Sequence, residues 1–170
     1  MVSIILASHG NFASGILQSG AMIFGEQKDV TAVTLQPSEG PEDLKAKIQE
    51  AIAGFENQEE VLFLVDLWGG TPFNQSNGLI NGHEDHWAIV TGLNLPMLIE
   101  AYAMRFSCES AHEIATHICE VAREGVKTKP ESLEPVKEEK VEEKVEPKKQ
   151  THDIDDDLPP IPVFLRRNRK

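Results

Sequence analysis

The chain has 170 residues, with 28 Asp or Glu against 16 Lys or Arg and a formal net charge of −12. That length allows one domain plus an appendage, and the whole net charge falls in residues 1–126, which hold five basic residues against 17 acidic ones. Such a surface repels phosphate backbones and anionic lipid, so nucleic acid and membrane surfaces are poor partners, while a basic protein surface is steered toward it.

Taken in order, Val2 to Ala7 is a short run rich in Val and Ile that leads into Ser8-His9-Gly10-Asn11. It is too short for a helix and reads as a strand buried on both faces. Gly10 and Asn11 break it, and Ala13 to Gly25 follows as a helix with Ile16, Leu17, Gly20 and Phe24 inward. Val30 to Leu35 is a second strand. Pro37 to Pro41 is a loop, with Pro41 suited to the first turn of a helix over about 42–55, where Leu44, Ile48, Ala51, Ile52 and Phe55 share one side. Glu60 to Asp66 is a third strand. Leu67-Trp68-Gly69-Gly70 turns the chain, and Thr71 as N-cap with Pro72 at the first helical position starts a helix to about Asn81. His86 to Thr91 is a fourth strand. Asn94-Leu95-Pro96 repeats the cap-then-Pro signal before a helix to about Phe106, and Ser110 to Gly125 is the last helix. Strands and helices alternating at this pitch imply parallel pairing and right-handed crossovers. The expected fold is an open, doubly wound α/β sheet with helices on both faces.

Beyond Gly125 the apolar periodicity stops. Residues 127–150 hold seven Lys and seven Glu and read as a charged flexible linker, with a transient single helix held by Glu-Lys pairs as the alternative; residues 151–170 carry an acidic run, PPIPVFL and RRNRK, and read as a disordered tail. The expected organisation is a domain over 1–126 followed by these two segments. No basic region precedes the first apolar run, no stretch approaches a membrane span, and Cys108 and Cys119 form neither a zinc spacing nor a disulfide framework. A cytoplasmic protein is expected.

In a parallel sheet the ends of the first and third strands share one edge, so His9 and Asp66 can meet although far apart in sequence. A carboxylate closing an apolar strand needs a partner, because burying it unpaired is costly. Accepting an imidazole N–H supplies one, fixes the tautomer and leaves the other ring nitrogen nucleophilic. Beside them, Gly69-Gly70-Thr71 opens a helix whose free N–H groups, dipole and hydroxyl favour an anion. His9 and Asp66 are therefore the candidate catalytic residues, with Gly10, Gly70 and Thr71 as candidate phosphate-binding positions. Together they suit phosphoryl transfer through a phosphohistidine, chemistry that rests on positioning and charge stabilisation.

The remaining candidates have plainer readings. His83 and His86 flank a polar loop without a third metal ligand, and His112 and His117 fall on different faces of a helix, so no metal site is expected and no cofactor is implied. Phe73, Met97, Cys108 and Cys119 read as packing residues. Trp68 is suited either to packing or to a partner, and Asn11 and Phe12 to framing the His9 pocket. No nucleotide-binding or serine-hydrolase motif is present.

The strings ASHG (7–10), FLVDLWGGTPFN (63–74), TGLNLPML (91–98) and REGV (123–126) together resemble the mannose-family IIA domain of the bacterial sugar phosphotransferase system. The resemblance covers about residues 1–127. It implies that His9 takes a phosphoryl group from phospho-HPr and passes it to a histidine of a IIB protein or domain, serving membrane IIC and IID components indirectly. It also implies that Asp66 pairs with His9, that Gly70 and Thr71 help hold the phosphate, and that the chain forms a homodimer by exchanging a strand. Thr71 stands where many relatives have Ser and keeps the hydroxyl. Many relatives continue into a IIB domain; here about 20 residues follow the linker, and His152 sits among acidic residues and is not read as the second histidine. A stand-alone IIA protein or a shortened fused one both fit. The alternatives are a phosphoryl donor for a dihydroxyacetone kinase and a regulatory module whose phosphorylated histidine is read by a partner.

Since residues 127–170 bring no net charge and no core, deleting residues 128–170 is expected to leave the unfolding midpoint and His9 phosphorylation unchanged. Aggregation or slow phosphorylation of the truncated chain would move the domain boundary.

Overall fold

Val2 to Ala7 and Val61 to Val65 have no polar face, so neither can lie on a surface, and both sides of the sheet they form must be covered. A computed structural model, which describes residues 1–130, shows how. The linker reading from residue 131 onward and the tail over 151–170 lie outside the described residues. The elements are β1 (Ser3–His9), α1 (Phe12–Phe24), β2 (Val30–Leu35), α2 (Pro41–Ala53), β3 (Val61–Val65), α3 (Thr71–Ile80), β4 (Trp87–Thr91), α4 (Leu95–Met104) and α5 (Ala111–Glu124).

The strands form one parallel sheet in the order β2-β1-β3-β4. Alternate residues of the central strands face opposite ways. Ile4, Leu6, Leu62 and Leu64 pack with α1, α4 and α5 through Ala13, Leu98, Tyr102, Ile114 and Ile118. Ile5, Ala7, Phe63 and Val65 pack with α2 and α3 through Leu44, Ile48 and Phe73. Each fully buried aliphatic side chain contributes about 1.5–3 kcal/mol relative to exposure, so these two layers hold the fold. The doubly wound α/β expectation is met, with the sequence-predicted strands and helices displaced by only a residue or two at their ends.

The chain moves from β1 outward to β2, then returns across β1 to β3 and β4. The carboxyl ends of β1 and β3 therefore flank the point where the winding reverses, the place where an open α/β sheet leaves a crevice. Ala7 pairs with Val65 across this junction, which sets His9 and Asp66 just beyond the last paired residues.

The helices are stopped and started as their sequences dictate, with one difference. Asn94 caps α4 by accepting from the Met97 N–H at 2.9 Å, and Ser110 caps α5 through the Glu113 N–H at 3.3 Å. Thr71, expected as the N-cap of α3, is instead its first helical residue. The Gly70 carbonyl already accepts from the Asn74 N–H at 2.9 Å, so Gly70 is the cap and Pro72 moves to the second position. One large polar side chain is buried without a sequence signal: Arg105, 2% exposed, donates from Nη2 to the Lys28 carbonyl at 2.8 Å. Its burial lowers the guanidinium pKa.

A close helix contact lies at Gly20 on α1, where a Cβ would fall 2.9 Å from Leu98 Cδ2 and 3.2 Å from Tyr102 Cε2. Gly20→Val is expected to destabilise the domain by about 1–3 kcal/mol, the usual cost of overpacking. Gly15→Ala on the same helix meets nothing within 4 Å and should stabilise it by about 0.4–1 kcal/mol. Urea unfolding of the two variants checks both signs.

Candidate active site

The last residue of β1 and the first residue after β3 meet across the crevice. His9 Nδ1 lies 2.8 Å from Asp66 Oδ2, and the His9 backbone N–H donates to the same oxygen at 2.8 Å. That oxygen thus accepts two donors from a single residue. Because the backbone N–H can only donate, Oδ2 faces His9 as an acceptor, and the ring meets it as Nδ1–H. The neutral ring then carries its lone pair on Nε2. The Asp66 side chain is 15% exposed and that of His9 is 46% exposed, so the carboxylate is the sheltered member and the imidazole the presented one. Asp66 Oδ1 is buried and has no partner among the described residues.

Gly70 stands against the ring. A Cβ there would fall 2.9 Å from His9 Cε1 and 3.6 Å from Nε2, closer to Cε1 than carbon atoms approach. Any other residue at this position would push the imidazole aside. The sequence shows only a Gly-Gly pair in a turn, and nothing in it reveals this contact.

The candidate phosphate-binding positions are all at this edge, but their groups are not equally available. The Gly70 N–H donates to the Leu67 carbonyl at 3.3 Å, and the Gly10 N–H to the Leu35 carbonyl at 2.8 Å. Both are already engaged. Gly10 has φ +53°, a left-handed turn that an L side chain adopts only at a cost. The N–H groups of Thr71 and Phe73, and the Thr71 hydroxyl, have no acceptor or donor partner among the described residues. The same holds for the N–H groups of Asn11 and Phe12 at the start of α1. Two helix N-termini therefore bring uncommitted donors to the edge where Nε2 is presented.

The other histidines among the described residues are engaged in structure. His86 Nδ1 pairs with Glu60 Oε1 at 2.9 Å, a contact that raises its pKa. His117 Nε2 pairs with Glu100 at 2.8 Å, His112 Nε2 lies 3.0 Å from the Trp87 carbonyl, and His83 stacks on Trp87 with ring centroids 4.0 Å apart. Among the described residues no cluster of three or more His, Cys, Asp or Glu is placed to hold a metal ion. Phe73 and Met97 are buried, whereas Phe12, Leu67 and Trp68 are exposed. Trp68 rests against Phe73 with ring centroids 4.4 Å apart.

The chain is similar to known proteins over most of its described residues. The family model described as PTS system fructose IIA component matches residues 3–119. The chain is 36% identical over 126 residues to the PTS system mannose-specific EIIAB component of Escherichia coli (strain K12), across 74% of this chain and 39% of that protein. It thus spans well under half the length of that relative. It is 37% identical over 105 residues to the PTS system fructose-specific EIIA component of Bacillus subtilis (strain 168), covering 62% of this chain and 71% of that protein. Among solved structures, phosphotransferase system component EIIA from Streptococcus agalactiae superposes with a TM-score of 0.70 at 34% identity, covering 75% of this chain and 97% of that one. On the strength of these matches, the chain belongs to the mannose-type IIA family of the sugar phosphotransferase system.

Proposed function

We propose that this chain is a phosphoryl carrier of sugar uptake, working in the cytoplasm. It takes a phosphoryl group from phospho-HPr onto His9 Nε2 and gives it to a histidine of a IIB protein or domain, which serves membrane IIC and IID components. The observation that carries this reading is the two-donor contact of His9 with Asp66 Oδ2. It leaves Nε2 as the one nucleophilic nitrogen of a half-exposed imidazole.

In the step itself the P–N bond of the donor phosphohistidine breaks, and a new P–N bond forms at Nε2. The proton stays on Nδ1. The ring gains positive character as the bond forms, and the Asp66 carboxylate stabilises it. The equatorial phosphoryl oxygens, which hold the negative charge in such transfers, would meet the N–H groups of Thr71, Phe73, Asn11 and Phe12 and the Thr71 hydroxyl. Gly10 and Gly70 act through shape, the one by turning the backbone and the other by yielding room to the ring. Onward transfer reverses the same atoms. Phe12, Leu67 and Trp68 supply exposed apolar surface beside the two residues for a protein partner to cover, and the acidic domain steers a basic partner toward it. The open edge of β4, with a groove of about 380 Å³ between it and α5, offers a place for the exchanged strand of a homodimer.

Two outcomes test the reading. Incubation with HPr, its phosphorylating enzyme and phosphoenolpyruvate should add one phosphate that is alkali-stable and acid-labile, and His9→Ala should take none. An acid-stable label, or labelling retained in that variant, would contradict the assignment. Asp66→Asn isolates the charge. The backbone N–H of His9 requires an acceptor at the Oδ2 position, so the amide oxygen should occupy it and keep the Nδ1–H tautomer. The expected loss in transfer rate is about 10–100-fold, the range for carboxylate partners of metal-bound histidines. It should stay short of the roughly 10⁴-fold loss seen when an Asp→Asn change imposes the wrong tautomer in a serine protease. The unfolding midpoint should stay near wild type, and a wild-type transfer rate would remove Asp66 from the mechanism.

A further inference from the structure

Asn11 breaks a local rule. It sits at the N-cap position of α1, where an Asn side chain ordinarily accepts from a backbone N–H of the first turn. Here it makes no such bond, and its φ of −88° and ψ of 15° are not those of an extended cap. Ser8 Oγ takes over that task by accepting from the Ala13 N–H at 2.7 Å. The Asn11 side chain turns away and bonds Gln36, with Nε2 to Oδ1 at 3.0 Å across a sequence separation of 25.

Gln36 is itself held. Its Nε2 lies 2.9 Å from Thr34 Oγ1, and its backbone N–H donates to Glu39 Oε2 at 2.9 Å. Glu39 pairs through its other oxygen with Lys47 on α2, and the Lys47 ammonium also donates to the Thr34 carbonyl at 3.2 Å. Lys47 first, and then the Gln36 N–H, hold the Glu39 carboxyl below its usual pKa, so it is ionised at neutral pH.

Within the turn and the first turn of α1, the Asn11 carbonyl accepts from Ser14 Oγ at 2.9 Å and from the Gly15 N–H at 3.0 Å, and Ser8 Oγ reaches the Gly10 carbonyl at 3.5 Å, all of them local bonds. Gly10 is in the left-handed region, and nothing lies within 4 Å of where its side chain would be. Ahead of the turn, the Gly10 N–H ties it to Leu35 at the end of β2, a backbone bond that any sequence could make. Past Gly10, the side-chain tie to the β2–α2 loop is Asn11 to Gln36. Between these ties and α1 lie the uncommitted N–H groups of Asn11 and Phe12.

We infer that the Asn11–Gln36 hydrogen bond is a positioning brace for phosphoryl transfer, holding the Asn11 and Phe12 N–H groups where the phosphoryl oxygens arrive at His9. The inference rests on the carrier function proposed above. Neither side chain touches the reacting atoms in this role. Both act through the backbone of the turn, and the polar chain to Lys47 anchors the brace on α2.

The test uses the full chain, with Asn11→Ala, Gln36→Ala and the double variant. Each single change should lower the transfer rate at saturating phospho-HPr by about five-fold, the size of one net intramolecular hydrogen bond. The half-saturating concentration should not move, the unfolding midpoint should fall only by what the loss of one hydrogen bond entails, and the double variant should be no slower than either single. In ¹⁵N relaxation measurements on Gln36→Ala, the order parameters of the Asn11 and Phe12 amides should fall while that of Ala13, held by Ser8, stays unchanged. Additive losses, a change confined to half-saturation, or unchanged rates and order parameters would overturn the brace. The relaxation measurement needs no phosphate, so it separates failure of the brace from failure of the carrier reading. The latter shows as a wild-type chain that takes no label from phospho-HPr.

Discussion

One carboxylate oxygen governs the site. Asp66 Oδ2 accepts the backbone N–H and the ring Nδ1–H of the same residue, and that pair of bonds fixes the strand end, the ring and the proton together. A side chain held only through its ring could swing on its χ angles. One whose main chain and ring share an acceptor is confined to a narrow set of rotamers. The sheet supplies the condition for this, because β1 and β3 are adjacent and parallel, and the winding reverses between them. The apolar layers on the two faces are therefore the foundation for the placement of a single imidazole.

Much of this can be read from the chain itself, because its periodicities are local. The runs at Val2–Ala7 and Val61–Val65 have no polar face and have to be internal strands; an Asp directly after such a run has to find a donor. Asn94 and Ser110 announce their helices because a cap bond spans only three residues. The pairing of His9 with Asp66 follows from topology once the strands are parallel. What escapes is polar contact between distant segments. Glu60, read as part of a strand, lies just before β3, and its carboxylate bridges His86 and the Ala111 N–H at the start of α5. Arg105 is buried against the Lys28 carbonyl 77 positions away. Asn11 looks like a cap and instead bonds Gln36. None of these has a spacing that local pattern could reveal.

The proposed phosphate-binding positions show the same division at finer scale. Gly10 and Gly70 stand at the edge where His9 meets Asp66, yet their N–H groups are taken by Leu35 and Leu67. Sequence marks where the backbone bends sharply and approaches closely. It does not say which of the amides there remain uncommitted, since that depends on the carbonyls that the turns place nearby. Moving the cap of α3 from Thr71 to Gly70 has a chemical result: the threonine hydroxyl is released from capping and has no partner among the described residues.

The ring of His9 is bound along one edge by Asp66, and Gly70 stands at Cε1, while Nε2 has no bonding partner among the described residues. On the proposed carrier function, that single reactive atom serves both halves of the cycle, so donor and acceptor proteins compete for the same approach and cannot be seated together. The cycle is then a strict alternation. Each partner has to depart before the other arrives, and throughput is governed as much by how fast complexes fall apart as by how fast phosphorus moves. A tight complex at this surface would be a brake, so short-lived encounters serve such a site better than strong ones.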